Sequence, residues 1–454
     1  MKIDALVAEI GSTTTVISAF DKLDCNPVFL GQGFAPTTVL EGDVNLGLTN
    51  AIIDLKQKLG ILELEAKETF ACSSAAGGLK MSVHGLVYDM TVKAAREAAL
   101  GAGANLKLVS AGMLKDEDIN YITNSNLNII MIAGGVDYGE TATAIANATI
   151  IAGLHLSIPV IYAGNIQNQQ TIANIFVKEG QSDYLFLTKN VYPRIDELET
   201  DEARKIIQSV FEKHIIKAPG MEKVREMISE NIIPTPGAVM DAALLMYAEI
   251  GDLVTFDIGG ATTDVHSVTN GSERNEKIML GPEPFAKRTV EGDLGVYVNH
   301  DNIIKMIGKE KLASDLGISI SQLESMLAGY LAIPVKSHYD MVMRLAKEAL
   351  KYGLERHAGK YISLYGASGK TTMAEGKDLS AIKYVIGTGG VLAKLDGKNI
   401  ISTVLLQASD TMMKPNPDAK ILIDKDYIMA ACGVLSHKHP SAATTLLKKS
   451  LGIG

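Results

Sequence analysis

Tryptophan is absent from this 454-residue sequence, and cysteine is scarce. The three cysteines, Cys25, Cys72 and Cys432, are far apart and form no CxxC pair. This spacing excludes a disulfide framework and a cysteine-based zinc site, and it is typical of a protein from a reducing compartment. Because aromatic residues make up only 5% of the chain, Leu, Ile, Val and Met are expected to fill its cores.

Positive charge is also in short supply. Lys and Arg number 43 against 52 Asp and Glu, which gives a net charge of −9 and a pI of about 5.6. Nucleic acids recruit Lys and Arg to their phosphate backbone, so this balance excludes DNA and RNA as expected partners.

The sequence has no long uninterrupted hydrophobic run. Its most apolar window, residues 145–164, contains Asn147, His155 and Pro159. The window therefore predicts the end of a helix followed by a buried strand and not a membrane span. Charged residues within the first apolar run argue against a signal peptide. We expect a cytoplasmic protein with no membrane partner.

Short apolar runs alternate with longer amphipathic stretches along the chain, which contains 42 glycines. Residues 5–10, 128–133 and 253–258 are predicted strands, and 340–357 is a predicted helix. Such alternation predicts an α/β fold with largely parallel sheets. At this length, two or more domains are expected.

One short segment near the start of the chain recurs in its second half. Residues 8–16 (AEIGSTTTV) match residues 256–265 (FDIGGATTDV) in register, with Glu9 and Asp257 248 positions apart. Both segments place a carboxylate, an isoleucine and a glycine before a run of small residues and threonines. A single match of this kind is also expected by chance.

Two further matches follow in the same order. The EGD tripeptides place Glu41 and Glu291 250 positions apart, and Gly135 and Gly390 are 255 apart. Three matches at a nearly constant offset predict two similar halves that face each other across a cleft. The alternative is convergent strand–loop sequence within one large sheet. The predicted halves are residues 1–250 and 251–454.

The paired loops have the chemistry of a phosphate site. Glycine after a strand lets backbone N–H groups approach an anion with no Cβ in the way. Hydroxyl donors are added by Ser12, Thr13, Thr14, Thr262 and Thr263. Two such loops facing each other suit the β- and γ-phosphates of a nucleotide. For either loop alone, a β-hairpin turn is the simpler interpretation.

Glu9 and Asp257 precede these loops at the ends of predicted strands. Magnesium is usually held by one or two carboxylates together with phosphate. The two side chains are therefore expected to coordinate Mg²⁺ through its water molecules.

A third glycine-rich segment lies in residues 385–395. It combines a predicted strand ending in Gly387, Gly389 and Gly390 with a following helix, which suits close approach to a sugar or base, or helix–strand packing. The pattern is not the six-residue dinucleotide fingerprint, and no suitable acidic residue follows. Hydride transfer is therefore disfavoured.

These three segments resemble the phosphate 1, phosphate 2 and adenosine motifs of the ASKHA superfamily, which contains acetate and sugar kinases, Hsp70 and actin. Longer segments resemble the MutL/GlmL family, whose members accompany adenosylcobalamin-dependent glutamate mutase and related aminomutases, such as those of ornithine degradation. The matching segments are 71–87, 94–104, 132–140, 159–165, 234–243, 256–268, 288–295 and 377–394.

The resemblance runs from about residue 3 to the C-terminal segment. It implies two actin- or Hsp70-like (ribonuclease H-like) domains around a nucleotide cleft. It also implies a chaperone-like reactivating factor that hydrolyses ATP slowly, and that helps a mutase discard damaged cobalamin and rebind intact coenzyme. Within this frame, residues 71–125 are family-specific and a C-terminal helix returns to pack on the first domain.

The resemblance also implies roles for individual residues. ATP or ADP is expected to contact both loops and the adenosine segment, Mg²⁺ to lie near the two strand-end carboxylates, and catalysis to involve residues around the second loop. The expected nucleotide-binding residues are Gly11, Ser12, Thr13, Thr14, Gly259, Gly260, Ala261, Thr262, Gly387, Gly389 and Gly390. The expected metal residues are Glu9 and Asp257, and the expected catalytic residues are Asp257, Asp264 and Thr262.

Two positions depart from the superfamily pattern. Glu9 stands where most members have Asp, so its carboxylate reaches about one bond length further. Ile233 precedes Pro234 where an Hsp70-like protein carries a glutamate. The water-activating base is therefore not identified, and Asp264, Asp257 and Glu9 are its candidates.

Other interpretations stay open. The fold would equally suit a small-molecule kinase or a nucleotide-binding structural protein with negligible turnover. Residues 365–372 (YGASGKTT) imitate a P-loop but are two residues short, so they predict a hairpin turn. Lys287 and Arg288 are the best basic candidates for phosphate contact, with ordinary surface charge the equal alternative.

Overall fold

The computed structural model describes residues 1–38, 43–74, 79–102, 104–215, 221–229, 232–366 and 369–453. They form two compact units. The first unit comprises Met1–Ala75, Ala218–Leu280 and Phe285–Gly454, and the second comprises Ala76–Lys217 and Gly281–Pro284. Glu41 of the first EGD tripeptide lies outside the described residues.

The first unit contains a five-stranded sheet with the order β3-β2-β1-β4-β10. Strands β1, β2 and β3 are antiparallel neighbours, whereas β4 and β10 run parallel to β1. The strands are β1 (Lys2–Ile10), β2 (Thr14–Asp21), β3 (Val28–Pro36), β4 (Glu65–Ser73) and β10 (Ile233–Pro234).

A second sheet of the same unit has the order β13-β12-β11-β16-β17. Its first three strands are again antiparallel and its last two again parallel. The strands are β11 (Leu253–Ile258), β12 (Thr263–Val268), β13 (Ala286–Glu291), β16 (Tyr384–Thr388) and β17 (Lys420–Ile423). Both sheets thus have the order third, second, first, fourth, fifth. The predicted α/β fold with two similar halves is confirmed.

Helices cover both sheets. The last two, α16 and α17, contribute Met429, Leu446 and Leu447 to a core that also contains Val7 of β1 and Phe70 of β4. Leu253 and Ile386 of the second sheet described above belong to the same core, so the C-terminal helices pack in a core that both sheets share. The helices are α1 (Val44–Leu59), α7 (Met221–Met227), α8 (Thr235–Ile250), α9 (Glu273–Glu276), α10 (His300–Ile307), α11 (Lys309–Asp315), α12 (Ile320–Ala328), α13 (Tyr339–His357), α14 (Gly389–Lys394), α15 (Gly397–Gln407), α16 (Met429–Ser436) and α17 (Pro440–Leu451).

The second unit has its own five-stranded sheet with the order β6-β5-β7-β8-β9, in which all neighbours are parallel. Its strands are β5 (Leu79–Gly85), β6 (Ala104–Ala111), β7 (Ile129–Ile132), β8 (Val160–Tyr162) and β9 (Leu185–Leu187). Its helices are α2 (Lys93–Gly101), α3 (Asp116–Asn124), α4 (Ala142–Gly153), α5 (Gln169–Lys178) and α6 (Asp201–Ile215), with a π-helical turn at Tyr88–Val92 before α2.

This second unit corrects one part of the repeat. Gly135 follows β7 of the inserted sheet, whereas Gly390 follows β16 of the second sheet. The strand equivalent to β16 in the first sheet is β4, so the match between these two glycines is coincidental. The predicted boundary at residues 250 and 251 falls between α8 and β11, inside the first unit, and separates its two sheets.

The imitation P-loop forms part of a hairpin. Strands β14 (Lys360–Gly366) and β15 (Gly369–Glu375) pair antiparallel, with Gly366 opposite Gly369. The predicted hairpin is confirmed by the pairing of these two strands, and residues 367–368 lie outside the described part. Among the described residues, no helix combines the length and apolarity needed to cross a membrane.

Candidate functional site

In each sheet of the first unit, a short turn connects the two strands that come first in the chain, β1 to β2 and β11 to β12. The N–H of Gly11 donates to the carbonyl of Thr14 at 3.0 Å, and the N–H of Gly259 donates to the carbonyl of Thr262 at 2.9 Å. Both segments are therefore β-hairpin turns with equivalent hydrogen bonds. We call them the first loop (residues 11–14) and the second loop (residues 259–262).

The two loops lie against each other. An added Cβ at Gly260 would lie 2.6 Å from Oγ1 of Thr13 and 3.0 Å from its Cγ2. A side chain at position 260 would force the loops apart, so glycine permits this approach.

The carbonyl groups of the first loop are bonded to neighbouring segments. The carbonyl of Gly11 accepts from the hydroxyl of Thr37 at 2.8 Å, and that of Thr13 accepts from the N–H of Thr37 at 2.9 Å. Ser12 donates its hydroxyl to the carbonyl of Ser74 at 3.1 Å. These bonds fix the loop from outside.

The second loop is fixed in the same way by the segment that follows β13. The N–H groups of Tyr297 and Val298 donate to the carbonyl of Gly260 at 2.9 and 2.8 Å. The side-chain amide of Asn299 donates to the carbonyl of Ala261 at 2.9 Å.

The loop N–H groups are left available. No described residue accepts a hydrogen bond from the N–H of Ser12, Thr13, Gly260 or Ala261. Successive backbone N–H groups in a turn form an anion-binding concavity. Loops that contribute such groups from two sides suit the oxygens of a polyphosphate.

One cavity of about 540 Å³ is bordered by both loops. All eight loop residues line it, as do Glu9, Asp257, Asp264 and Gly390. Tyrosines, aliphatic residues and lysines form other parts of its wall, which suits a ligand with a charged part and an apolar part. Among them are Tyr297, Tyr330, Tyr339, Tyr427, Ile333, Val391, Lys58 and Lys394.

Two glycines of the adenosine segment, Gly387 and Gly389, do not line the cavity but allow close packing next to it. Gly389 has φ +83°, and an added Cβ there would lie 2.6 Å from Oδ1 of Asp257. Gly389 therefore lets the start of α14 pass directly against that carboxylate. Gly387 lies in β16 beneath Ile401 and Ile423, where it serves helix–strand packing. Only Gly390 of the three predicted glycines lines the cavity.

Glu9 is half-buried at the end of β1, and its Oε1 accepts a hydrogen bond from the hydroxyl of Tyr427 at 3.1 Å. Burial raises the pKa of Glu9 to about 7, and the tyrosine bond partly opposes that rise. Tyr427 has φ 52°, a left-handed conformation that is rare for a bulky residue, and its carbonyl accepts from the amide of Gln32 at 2.7 Å. The ring is thus held in place against Glu9.

Asp257 is surrounded quite differently. No described residue donates a hydrogen bond to its carboxylate, and burial, Asp264 and Glu9 together raise its pKa well above the usual range. Both oxygens of Asp424, by contrast, accept hydrogen bonds. Its Oδ2 accepts from the hydroxyl of Thr388 at 2.8 Å and the N–H of Met429 at 2.9 Å, and its Oδ1 accepts from the N–H of Ile428 at 3.2 Å. Asp424 is a structural carboxylate, whereas Asp257 has unused acceptor capacity.

Asp264 is directly opposite Asp257 on β12 and is 3% exposed. Its Oδ2 lies 3.7 Å from Nη2 of Arg288, while its Oδ1 has no hydrogen-bond partner among the described residues. Burial raises the pKa of Asp264, and Arg288 opposes that rise. Asp264 also lines the cavity, and its buried Oδ1 has unused acceptor capacity.

These carboxylates fit magnesium held together with phosphate. No group of three or more His, Cys, Asp or Glu side chains that could hold a metal occurs among the described residues. The pKa of Glu9 is raised by burial and by Asp424, and that of Asp257 by burial, Asp264 and Glu9, so neither side chain is fully compensated by nearby positive charge. A divalent cation with one or two protein carboxylates and phosphate ligands satisfies both observations.

The sequence matches decide the family. A family model described as "MutL protein" matches residues 5–451. This chain belongs to the MutL family. "Protein MutL" of Clostridium tetanomorphum is 37% identical over 469 residues, which cover 98% of both chains.

Solved structures similar to this MutL-family chain are much more distant. A nucleotide-free acetone carboxylase structure is 12% identical, with a TM-score of 0.39, over 96% of this chain and 70% of the other. A glycerol dehydratase reactivase is 11% identical, with a TM-score of 0.36, over 96% and 100%. The family assignment rests on the sequence matches.

The cavity also contains residues that the sequence did not single out. Lys394 of α14 lies with its Nζ 3.2 Å from the ring centroid of Phe34, and burial lowers its pKa to about 8. The sequence could have indicated this residue, because residues four apart lie on the same face of a helix and Lys394 is four residues after Gly390. Lys287 and Arg288, favoured as phosphate-binding cations, do not line the cavity. Arg288 is buried beside Asp264 because it compensates that carboxylate.

Proposed function

We propose that this MutL-family protein binds ATP and Mg²⁺ between the two loops and hydrolyses ATP slowly. One observation carries the proposal: two hairpin turns touch each other, each has N–H groups without an acceptor, and each is preceded by a carboxylate. A structural hairpin has no need for such a carboxylate on both sides.

Each predicted residue has a role in this proposal. The N–H groups of both loops, including that of Ser12, bind phosphate oxygens together with the hydroxyls of Thr13, Thr14 and Thr262. Glu9 and Asp257 hold the metal ion through its water molecules. When bound, Mg²⁺ supplies charge neutralisation at the phosphates. Asp264 accepts the proton of the attacking water through its free Oδ1.

Slow turnover follows from what replaces the Hsp70-like acid. Ile233 packs against the hydrophobic core and contributes no base. Asp264 is the remaining candidate, and it is only 3% exposed, with its Oδ1 buried, so an attacking water molecule has poor access to this base.

We further propose that nucleotide binding drives reactivation of an adenosylcobalamin-dependent aminomutase of the glutamate mutase or ornithine aminomutase type. Family membership supports this part, because MutL/GlmL proteins accompany such mutases. ATP binding would change the affinity for inactivated mutase and so allow damaged cobalamin to leave.

The decisive experiment uses purified protein, ATP, Mg²⁺ and glutamate mutase inactivated with hydroxocobalamin. Recovery of mutase activity after addition of adenosylcobalamin is measured with ATP, with ADP and without nucleotide. ATP hydrolysis is measured in parallel without any acceptor. We expect mutase activity to recover only with ATP. We also expect ATP to be hydrolysed slowly when no small-molecule acceptor is present.

Two outcomes would contradict the proposal. Phosphorylation of a small molecule at a rate far above the hydrolysis rate would identify a kinase. Nucleotide binding without either hydrolysis or mutase recovery would identify a structural nucleotide-binding protein. Thermal unfolding with and without ATP gives a first test, because a ligand that binds only the folded state raises Tm.

A further inference from the structure

The second unit exposes its apolar side chains unevenly. Because all its strands are parallel, every segment that leaves a strand emerges at the carboxyl edge of the sheet. Each of these five segments carries a large apolar side chain that is about half exposed or more. The described loops that lead into the strands carry no large apolar side chain that is half exposed. We call the following residues the carboxyl-edge patch: Tyr88 after β5, Met113 after β6, Tyr138 after β7, Ile166 after β8 and Ile195 after β9.

The exposure within this patch is large. Tyr138 is 76% exposed, Ile195 is 70% exposed and Met113 is 58% exposed. Neighbouring strands lie about 4.8 Å apart, so five strands spread the patch over about 19 Å. Contiguous exposed apolar surface of this kind is uncommon on soluble proteins and marks interaction sites.

Hydrogen bonds fix three of the five loops to one another through Asp137. Its Oδ1 accepts from the N–H of Ile166 at 2.9 Å and from the amide of Asn190 at 3.0 Å. Its own N–H donates to the carbonyl of Pro193 at 2.9 Å. The loops that carry Tyr138, Ile166 and Ile195 are therefore held as one preorganised surface.

Two of these loops contain a strained backbone next to the exposed side chain. Tyr138 has φ 63°, and its N–H is held by Oδ1 of Asn165 at 3.1 Å. Asp196, which follows Ile195, has φ 62°. Left-handed conformations of non-glycine residues concentrate at binding sites. Strain that leaves an aromatic ring in water contributes nothing to the core.

Acidic side chains surround the patch. The same five segments carry more carboxylates than cations, and two of the cations already have carboxylate neighbours: Lys189 at 3.0 Å from Glu199 and Arg194 at 3.5 Å from Glu197. The further acidic residues are Asp89, Asp116, Asp137, Glu140 and Asp196. Such a surface complements apolar side chains that are flanked by Lys or Arg.

We propose that the carboxyl-edge patch is the docking surface for the enzyme that this protein reactivates, and that the enzyme presents apolar side chains flanked by Lys and Arg. The partner's identity as a mutase rests on the proposed function. The position and chemistry of the surface rest on the second unit alone.

The test compares a Tyr138→Ser/Ile195→Ser double variant with a Val177→Ser control. Val177 is 64% exposed on α5, outside the patch, so the control removes a similar apolar side chain from the same unit. Binding to hydroxocobalamin-inactivated glutamate mutase is measured by titration calorimetry at several salt concentrations. An Asp89→Lys variant tests the charge component.

We expect the double variant to weaken mutase binding at least tenfold, with the Tm and the ATP hydrolysis rate unchanged. Val177→Ser is expected to bind like the wild type, and Asp89→Lys to bind several-fold more weakly, with the difference shrinking at high salt.

Two outcomes would overturn the docking surface while the proposed function stands. One is a double variant that binds and reactivates the mutase as the wild type does. The other is sedimentation showing a dimer that the double variant abolishes while mutase binding is retained, which would identify an interface between copies of this chain. A wild-type protein that neither binds nor reactivates the mutase would overturn the proposed function and docking to that enzyme together.

Discussion

The first and second sheets share strand order, turn geometry and a glycine-rich loop, but their side chains beneath the loops differ. Glu9 is paired across the strands with Val16, whereas Asp257 is paired with Asp264. Glu9 also receives the hydroxyl of Tyr427, while Asp257 receives no described hydrogen bond. The repeat therefore supplies backbone N–H groups from two sides and concentrates the uncompensated negative charge on the second sheet. We infer that the second sheet performs the chemistry and the first mainly positions the ligand.

The strongest test of that asymmetry is Asp257→Asn. Loss of the bare carboxylate should reduce Mg²⁺-dependent ATP hydrolysis by about 100-fold or more, comparable to the removal of one key electrostatic group from an active site. Steady-state hydrolysis at varied Mg²⁺ measures the effect, with exposed Asp418→Asn as the control. Equal losses in Glu9→Gln and Asp257→Asn would show that the two sheets contribute alike.

The contact between the loops is tested by Gly260→Ala. The added Cβ would overlap Thr13, so the loops must separate, and we expect nucleotide binding about tenfold weaker. Calorimetric titration with ADP measures this, with Gly153→Ala as the control because nothing lies within 4 Å of a Cβ there. Thr13→Ala in the same chain should restore part of the affinity. An unchanged Kd for Gly260→Ala would mean that the loops act separately.

A smaller effect is expected from Tyr427→Phe. Removal of the hydroxyl frees the Glu9 carboxylate, so the Mg²⁺ concentration for half-maximal hydrolysis should change about three- to tenfold while the maximal rate stays similar, in line with one hydrogen bond to a charged group. Tyr365→Phe, at an exposed tyrosine, serves as the control. If Tyr427→Phe has the same effect in a Glu9→Gln background, the tyrosine acts elsewhere.

The smallest effect concerns pH and stability. His266 on β12 is fully buried without a described hydrogen-bond partner, and burial with nearby Arg288 lowers its pKa well below 6.5. The unfolded chain therefore takes up protons first, and stability should fall as pH drops below about 6.5. His266→Leu should flatten that fall in Tm between pH 7 and 5. The equivalent residue in the first sheet is Ser18, so Ser18→Ala should leave the pH dependence as it is.

Much of this arrangement is readable from the sequence, because short motifs report local backbone chemistry. The two hairpin loops, their strand-end carboxylates and Asp264 all follow from residues 8–16 and 256–265. The third match of the repeat is coincidental because Gly135 and Gly390 share only a strand followed by glycines, a pattern that any parallel sheet produces.

Contacts between side chains of distant segments could not be predicted from the sequence. Tyr427 reaches Glu9 from 418 positions away, and nothing in its own segment indicates the left-handed backbone that aims the ring. For Arg288 the sequence left phosphate contact and ordinary surface charge as equal alternatives, because charge alone does not tell whether a cation faces a ligand, solvent or a buried carboxylate. The inserted unit was not separated because its strands and helices follow the same α/β pattern as those around it.

The last turn of α17 shows how far the site extends along the chain. Ser450 donates its hydroxyl to Asp424 at 2.5 Å, and Asp424 in turn accepts from Thr388, which immediately precedes Gly389 beside Asp257. Affinity tags, truncations and frameshifts at the C-terminus are usually regarded as harmless to an active centre. In this protein the removal of residues 450–454 would take away one support of the cavity beside the two loops.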